Sequence, residues 1–287
     1  MTSPLPESGP TVLRIILGSH LRRLRESKGM SRDDAGYTIR ASGSKISRLE
    51  LGRVGFKMRD VEDLLTLYGV EEGETREVLR ALAEQANAPG WWHKYGDVLP
   101  EWFQVYVGLE EAAKLIRTYE VQFVPGLLQT EEYVRAIATR HLSVSPEEVE
   151  RRVALRMTRQ QVLTRPSPPR LWVVIDEAAL RRKVGGRDVM RGQIERLIEA
   201  SKLPNVTLQV LPFSVGSHSA EAGAFTILRF PDFDMPYIAY LEQLTSAIYL
   251  DKPDEVEQYL EAMERLCIES EKPENTVELL SRILQET

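Results

Sequence analysis

Ser42, Gly43, Ser44, Lys45, Ser47 and Arg48 fall in one short stretch, SGSKISRLELG, residues 42–52. Serine hydroxyls and a guanidinium are groups that hydrogen-bond base edges, and arginine fits guanine O6 and N7 with two bonds. Lys45, with Arg32 before the stretch and Arg53 after it, suits phosphate oxygens, which fix position without reading sequence. Ile46 and Leu49 stand where a helix turns one face inward, leaving Ser44, Lys45, Ser47 and Arg48 on or near the outward face. An ordinary amphipathic helix with a solvated basic face has the same pattern. The elements around the stretch must decide between the two.

A second set of residues has the chemistry of a partner or ligand surface. Trp91, Trp92, His93 and Tyr95 lie between the breaker Ala88-Pro89-Gly90 and Pro100, with Trp102 just beyond. Phe213 and His218 belong to the Gly/Ser-rich run PFSVGSHSAEAG. Aromatic anchors beside loops line protein-binding grooves, and they equally pack a buried junction between domains. His218 could pair with Glu221, which is a thin catalytic argument. The histidines, at 20, 93, 141 and 218, are scattered, and no dinucleotide, Walker, zinc-protease or nucleophile-elbow motif is present. Asp176-Glu177 is expected to cap a helix after a strand, and Asp232 and Asp234 suit a Pro-flanked turn. The reading is of no catalytic set, no cofactor and no metal site, with an enzyme fused to a DNA reader kept as an alternative.

Composition sets the frame. The 287 residues suffice for two domains, and 43% hydrophobic with 28% charged residues describes a globular protein. No apolar run approaches the ~18 residues of a membrane span, so no membrane partner is expected and the chain is placed in the cytoplasm, at the nucleoid. MTSPLPESGP has neither the basic start nor the apolar core of a secretory signal, and residues 1–12 are read as a disordered lead. The single cysteine, Cys267, excludes a disulfide framework and shares a helical face with Val256, Leu260 and Met263, as a core thiol does. Charge is divided unevenly. Residues 1–70 hold 12 Lys+Arg against 8 Asp+Glu, a balance of +4, whereas the whole chain is −6. The remainder is therefore −10, which suits a polyanion-binding module joined to a part with a different partner.

Residues 13–70 supply the elements that must position the basic stretch. Leu13, Leu17, Leu21 and Leu24 recur at helical spacing, and Gly29 marks a helix end. Ser31 with Asp34 forms a capping signal for a second helix, and Thr38 to Ala41 is a short joint. Ser42 caps the third helix, which Gly52 closes, and Val61, Leu64, Leu65 and Tyr68 mark a fourth. Short helices joined by a tight turn describe an all-α helix-turn-helix bundle.

These residues, in LGSHLRRLRESKGMSRDDA and SGSKISRLELGR, resemble the lambda-repressor-like (Xre-type) helix-turn-helix. The resemblance implies that Ser42–Leu51 is a recognition helix whose N-terminal half enters the major groove of double-stranded DNA. It also implies a structural ion pair between Arg25 and Glu50. Gly43 departs from the long polar reader common at its position, and Ala35 and Gly36 are smaller than the usual pair.

Residues 71–287 read as a larger α+β domain: helical over 71–165, sheet-containing over 170–252, with C-terminal helices over 253–285. LWVVID, VTLQVLP, AFTILRF, YIAYLEQ and AIYLD are β-rich runs, a sheet of about five strands. A helix crosses between the first two runs and the last three form an antiparallel meander. VGLEEAAKLIRTYE is read as helix. The wording of the region, in APGWWHKYGDVLP, FVPGLLQTEEYVRA, DEAALRRKVGG and NVTLQVLPF, resembles WhiJ-like actinomycete regulators that follow a lambda-repressor-like reader with a domain of unknown function. That resemblance implies an antitoxin-like transcriptional regulator, a homodimer, with a small companion protein encoded nearby as its partner. A small-molecule sensor in place of the partner-binding domain is the alternative.

Overall fold

The computed structural model of the chain describes residues 10–140, 144–230 and 237–287. His141, the turn holding Asp232 and Asp234, and positions 1–9 of the expected lead lie outside the described residues. Positions 10–12 are helical. The contacts divide the described residues into two compact units, 10–96 with 101–112, and 97–100 with 113–230 and 237–287.

The first unit contains α1 (Pro10–Ser27), α2 (Arg32–Thr38), α3 (Gly43–Glu50), α4 (Met58–Leu67), α5 (Glu74–Ala86) and α6 (Glu101–Ala112), with a 3-10 turn at Trp91–Tyr95. Leu13, Leu17 and Leu21 of α1 meet Ile46 and Leu49 of α3 and Val61, Leu64 and Leu65 of α4 in one core. Burying each such side chain stabilises by roughly 1.5–3 kcal/mol, which is what holds helices too short to persist alone. Leu79, Leu82, Ala83 and Ala86 of α5 join the same core. Asn87 fixes the end of α5 to the loop after α3, accepting from Phe56 N at 2.9 Å and donating to Phe56 O at 2.5 Å. The boundary drawn from the sequence after residue 70 thus falls inside this unit. Gly52, at φ 65, ends α3 against Ile15, where a Cβ would meet the Ile15 backbone N at 2.7 Å.

The second unit is built on β1 (Leu115–Glu120), α7 (Glu131–Ala138), α8 (Pro146–Gln160), β2 (Arg170–Asp176), α9 (Glu177–Arg181), α10 (Arg187–Ala200), β3 (Val206–Leu211), β4 (Phe225–Arg229), β5 (Ile238–Glu242), β6 (Ala247–Leu250), α11 (Pro253–Glu269) and α12 (Pro273–Glu286). The sheet has the order β3-β2-β1-β4-β5-β6. The first three strands are parallel and the last three join them antiparallel, so the sheet is mixed. It has six strands where about five were expected. The extra one is β1, Leu115–Glu120, which the sequence reading ran on as helix from VGLEEAAK. Ile116, Thr118 and Tyr119 are buried between β2 and β4, so pairing on both sides outweighs the local helical pattern.

On one face of the sheet Tyr119, Val174, Leu211, Phe225 and Ile227 pack with Met263 and Leu266 of α11. Cys267 is only half-buried beside this core, where Leu266 takes the central place.

Candidate nucleic-acid interface

The joint between α2 and α3 is built by local hydrogen bonds. Ser31 and Asp34 satisfy each other's backbone N–H at the start of α2, both at 3.1 Å. At its end Ala41 N donates to Gly36 O at 2.8 Å, and Arg40 takes the left-handed φ of 55 that lets the chain turn so sharply. Ser42 then caps α3, its Oγ accepting from Lys45 N at 3.4 Å. Gly43 is buried against α2. A Cβ there would lie 2.2 Å from Asp33 Oδ1, the end of an exposed side chain, so Asp33 would have to turn aside for a larger residue.

With Ile46, Leu49 and Glu50 turned inward, α3 exposes Ser44 and Arg48, leaves Ser47 half-buried, and begins at the exposed Ser42. The other cations of the set have partners inside the bundle. Lys45 Nζ lies 2.5 Å from Oδ2 of the buried Asp60, so its ammonium is engaged by α4 and is not an outward phosphate ligand. Arg32 Nε is 3.3 Å from Glu50 Oε2. Arg53, just after α3, is half-buried.

Arg25 reaches Glu50 with two bonds, Nε to Oε1 at 2.5 Å and Nη2 to Oε2 at 3.2 Å, and donates from Nη1 to Met30 O at 2.7 Å. Both side chains are buried, and the hydrogen bond to Glu50 outweighs desolvation to raise the guanidinium pKa. Glu50 therefore ties the end of α3 to α1 and, through Arg32, to the start of α2. α3 is held from behind while its Ser44–Arg48 face stays open.

Some residues here were not singled out from sequence. Tyr37 is 86% exposed, and with Thr38, Arg40, Ala41 and Ser42 it lines a shallow cavity of about 680 Å³ beside the start of α3. Their signal in the sequence is an aromatic and a cation inside the polar run YTIRAS, the joint between two capped helices.

The aromatic set does not gather within one unit. Trp91, Trp92, His93, Tyr95 and Trp102 belong to the first unit, Phe213 and His218 to the second. Trp92 and Tyr95 are core residues, Trp92 lying where a Cβ on Gly108 would meet its ring at 3.1 Å. Trp91 and Trp102 are half-buried and His93 is exposed. His218 does not pair with Glu221. Its Nδ1 accepts from Ala220 N at 3.2 Å and its Nε2 meets Tyr119 OH at 3.2 Å, with Tyr119 OH in turn 3.3 Å from Asp176 Oδ2. Asp176 Oδ1 caps α9 by accepting from Ala178 N at 2.8 Å. Among the described residues no His, Cys, Asp and Glu side chains cluster as a metal site, and no helix is long and apolar enough to cross a membrane.

Residues 16–79 match a helix-turn-helix domain, which points to a DNA-binding regulator. No curated protein and no solved structure matches the chain. Residues 103–282, more than half of the length, match the family described as domain of unknown function (DUF5753), and the chain belongs to that family.

Proposed function

We propose that the chain is a sequence-specific transcriptional regulator that binds double-stranded DNA through α3 as a homodimer. The observation that carries the reading is the open Ser44–Ser47–Arg48 face on a helix anchored by the buried Arg25–Glu50 pair. Arg48 is the group suited to a guanine, Ser44 and Ser47 to either base-pair edge, and Arg40 and Tyr37 to the flanking backbone. A two-fold dimer sets half-sites about one helical turn, ~34 Å, or a multiple apart. A genome-wide binding profile tests this: a shared palindromic site is expected. Occupancy without any common sequence sinks the sequence-specific reading.

The finer reading is of an Xre-type, antitoxin-like regulator of WhiJ-like kind, acting at the nucleoid, whose acidic remainder binds a small companion protein. Its support is the resemblance of the wording across that region and the −10 balance of residues 71–287, which disfavours contact with phosphate. Partner binding then alters DNA occupancy, and linkage requires operator DNA to alter partner binding by the same factor. Titration of the full chain with the product of the neighbouring small gene, with and without operator DNA, reads both effects.

A further inference from the structure

A cleft of about 290 Å³ opens in the second unit where β2 and β3 end, the side of a parallel sheet on which ligands gather. Glu177, the residue after β2, and Pro212, the residue after β3, form one wall. The opposite wall is one face of α12, on which Leu279, Arg282 and Glu286 follow at helical spacing.

The walls are tied in place. Glu177 spends both oxygens on them, accepting from Arg181 Nε at 2.9 Å and from Phe213 N at 2.9 Å. Arg181 also reaches Glu286, joining α9 to the end of α12. Gln209 Nε2 donates to Glu271 O at 2.9 Å, and Glu271 N donates to Val210 O at 2.9 Å, which holds the linker before α12 against β3. Arg191 Nη1 donates to Leu284 O at 3.3 Å from α10.

Three polar groups of the lining are left over. Among the described residues the Arg282 guanidinium and the Glu271 carboxylate have no ion-pair partner, and the Ser214 hydroxyl has no hydrogen-bond partner. Among the described residues the cleft thus offers one unpaired cation on α12 and one unpaired anion on the linker before it, with the apolar Leu279 also in its lining.

We propose that this cleft binds a small zwitterion, an amino acid or short unblocked peptide. Its carboxylate meets Arg282, a geometry that allows two parallel hydrogen bonds. Its ammonium meets Glu271, and its apolar portion lies over Leu279 and Pro212. The inference does not rest on the DNA reading, since every residue it uses lies in the second unit.

The test uses the full chain, with thermal denaturation and calorimetry against amino acids and unblocked di- and tripeptides. N-acetylated and C-amidated counterparts are run beside them. Unblocked probes are expected to raise Tm, because they bind the folded chain alone. Arg282→Ala is expected to weaken an unblocked probe by about tenfold while leaving the C-amidated one unchanged. Glu271→Gln has the matching effect at the amine end. Far-UV circular dichroism checks that both surface variants fold. If no unblocked probe raises Tm, or if the response survives both substitutions, the proposal is overturned. Equal binding of acetylated and free peptides overturns it too, as capture of a plain anion.

Discussion

Lys45 Nζ lies 2.5 Å from Asp60 Oδ2, joining the middle of α3 to the first turn of α4. Asp60 is 3% exposed, so its carboxylate depends on this ammonium for its charge to be compensated. Lys45→Ala is expected to destabilise the chain by about 1–3 kcal/mol, seen as a lower urea midpoint with unchanged slope. Asp60→Asn placed on top of it recovers part of the loss. Equal midpoints for Lys45→Ala and the parent exclude the role assigned to this contact.

Arg25 and Glu50 form a more deeply buried pair, and losing Arg25 leaves the buried Glu50 carboxylate with only the longer contact to the part-exposed Arg32. Arg25→Met is expected to cost about 3–5 kcal/mol. The double change Arg25→Met with Glu50→Met is expected to be milder than either single one, because neither buried charge remains. A double-mutant cycle by chemical denaturation measures the coupling, and a value near zero refutes it.

Arg48 carries the base reading in the proposed complex. Arg48→Ala is expected to cost about 1–3 kcal/mol at one operator position and to relax preference there. Arg40→Ala, at the exposed turn, is expected to weaken all sequences alike and to reduce the salt slope by about one. Fluorescence anisotropy over a salt series separates the two behaviours; identical profiles for both variants contradict the division between reading and positioning.

Stability should fall at both ends of the pH scale for different reasons. Arg80 and then Arg76 hold the Glu62 carboxyl down at about 2, below the ordinary carboxylate value. A depressed acid contributes stability above its unfolded value that is lost as pH falls from about 4.5 towards about 2. Burial, aided by Glu242 and opposed by Arg156, pushes Glu120 up to about 8. Its contribution is full below about pH 4.3 and is lost as pH rises through about 8. Urea midpoints across pH are expected to show a weaker acid limb in Glu62→Gln and a weaker alkaline limb in Glu120→Gln. Unchanged limbs in the two variants contradict these assignments.

What could be read from the residues depended on how far along the chain each signal reaches. The Ser31–Asp34 capping box and the Ser42 cap are contained within a few residues, and both were legible. The parallel pair β2 and β3 with its crossover helix, and the meander β4 to β6, were legible from alternation and turn chemistry. β1 was not. LIRTYE follows a helix directly, and only pairing with Arg170–Ile175 and with Phe225–Arg229, far along the chain, makes it a strand. The partners of His218 and Lys45 were missed for the same reason. Tyr119 precedes His218 by 99 positions, and Asp60 follows Lys45 by 15, so local spacing carried neither contact.

The meeting of α2 and α3 has a practical consequence for anyone seeking to redirect the chain to a new operator. A Cβ on Gly36 would lie 2.7 Å from the Ala41 backbone O, so that position accepts no larger side chain without moving the backbone, whereas one on Gly43 would strike only the exposed Asp33 side chain, which must then turn aside. Lys45, Ile46, Leu49 and Glu50 are committed to α4, to the core and to Arg25. Randomisation of the helix is therefore best placed at Ser44, Ser47 and Arg48, with Gly43 open to change where Asp33 is changed with it, and a library built more widely alters the residues that hold α3 in place.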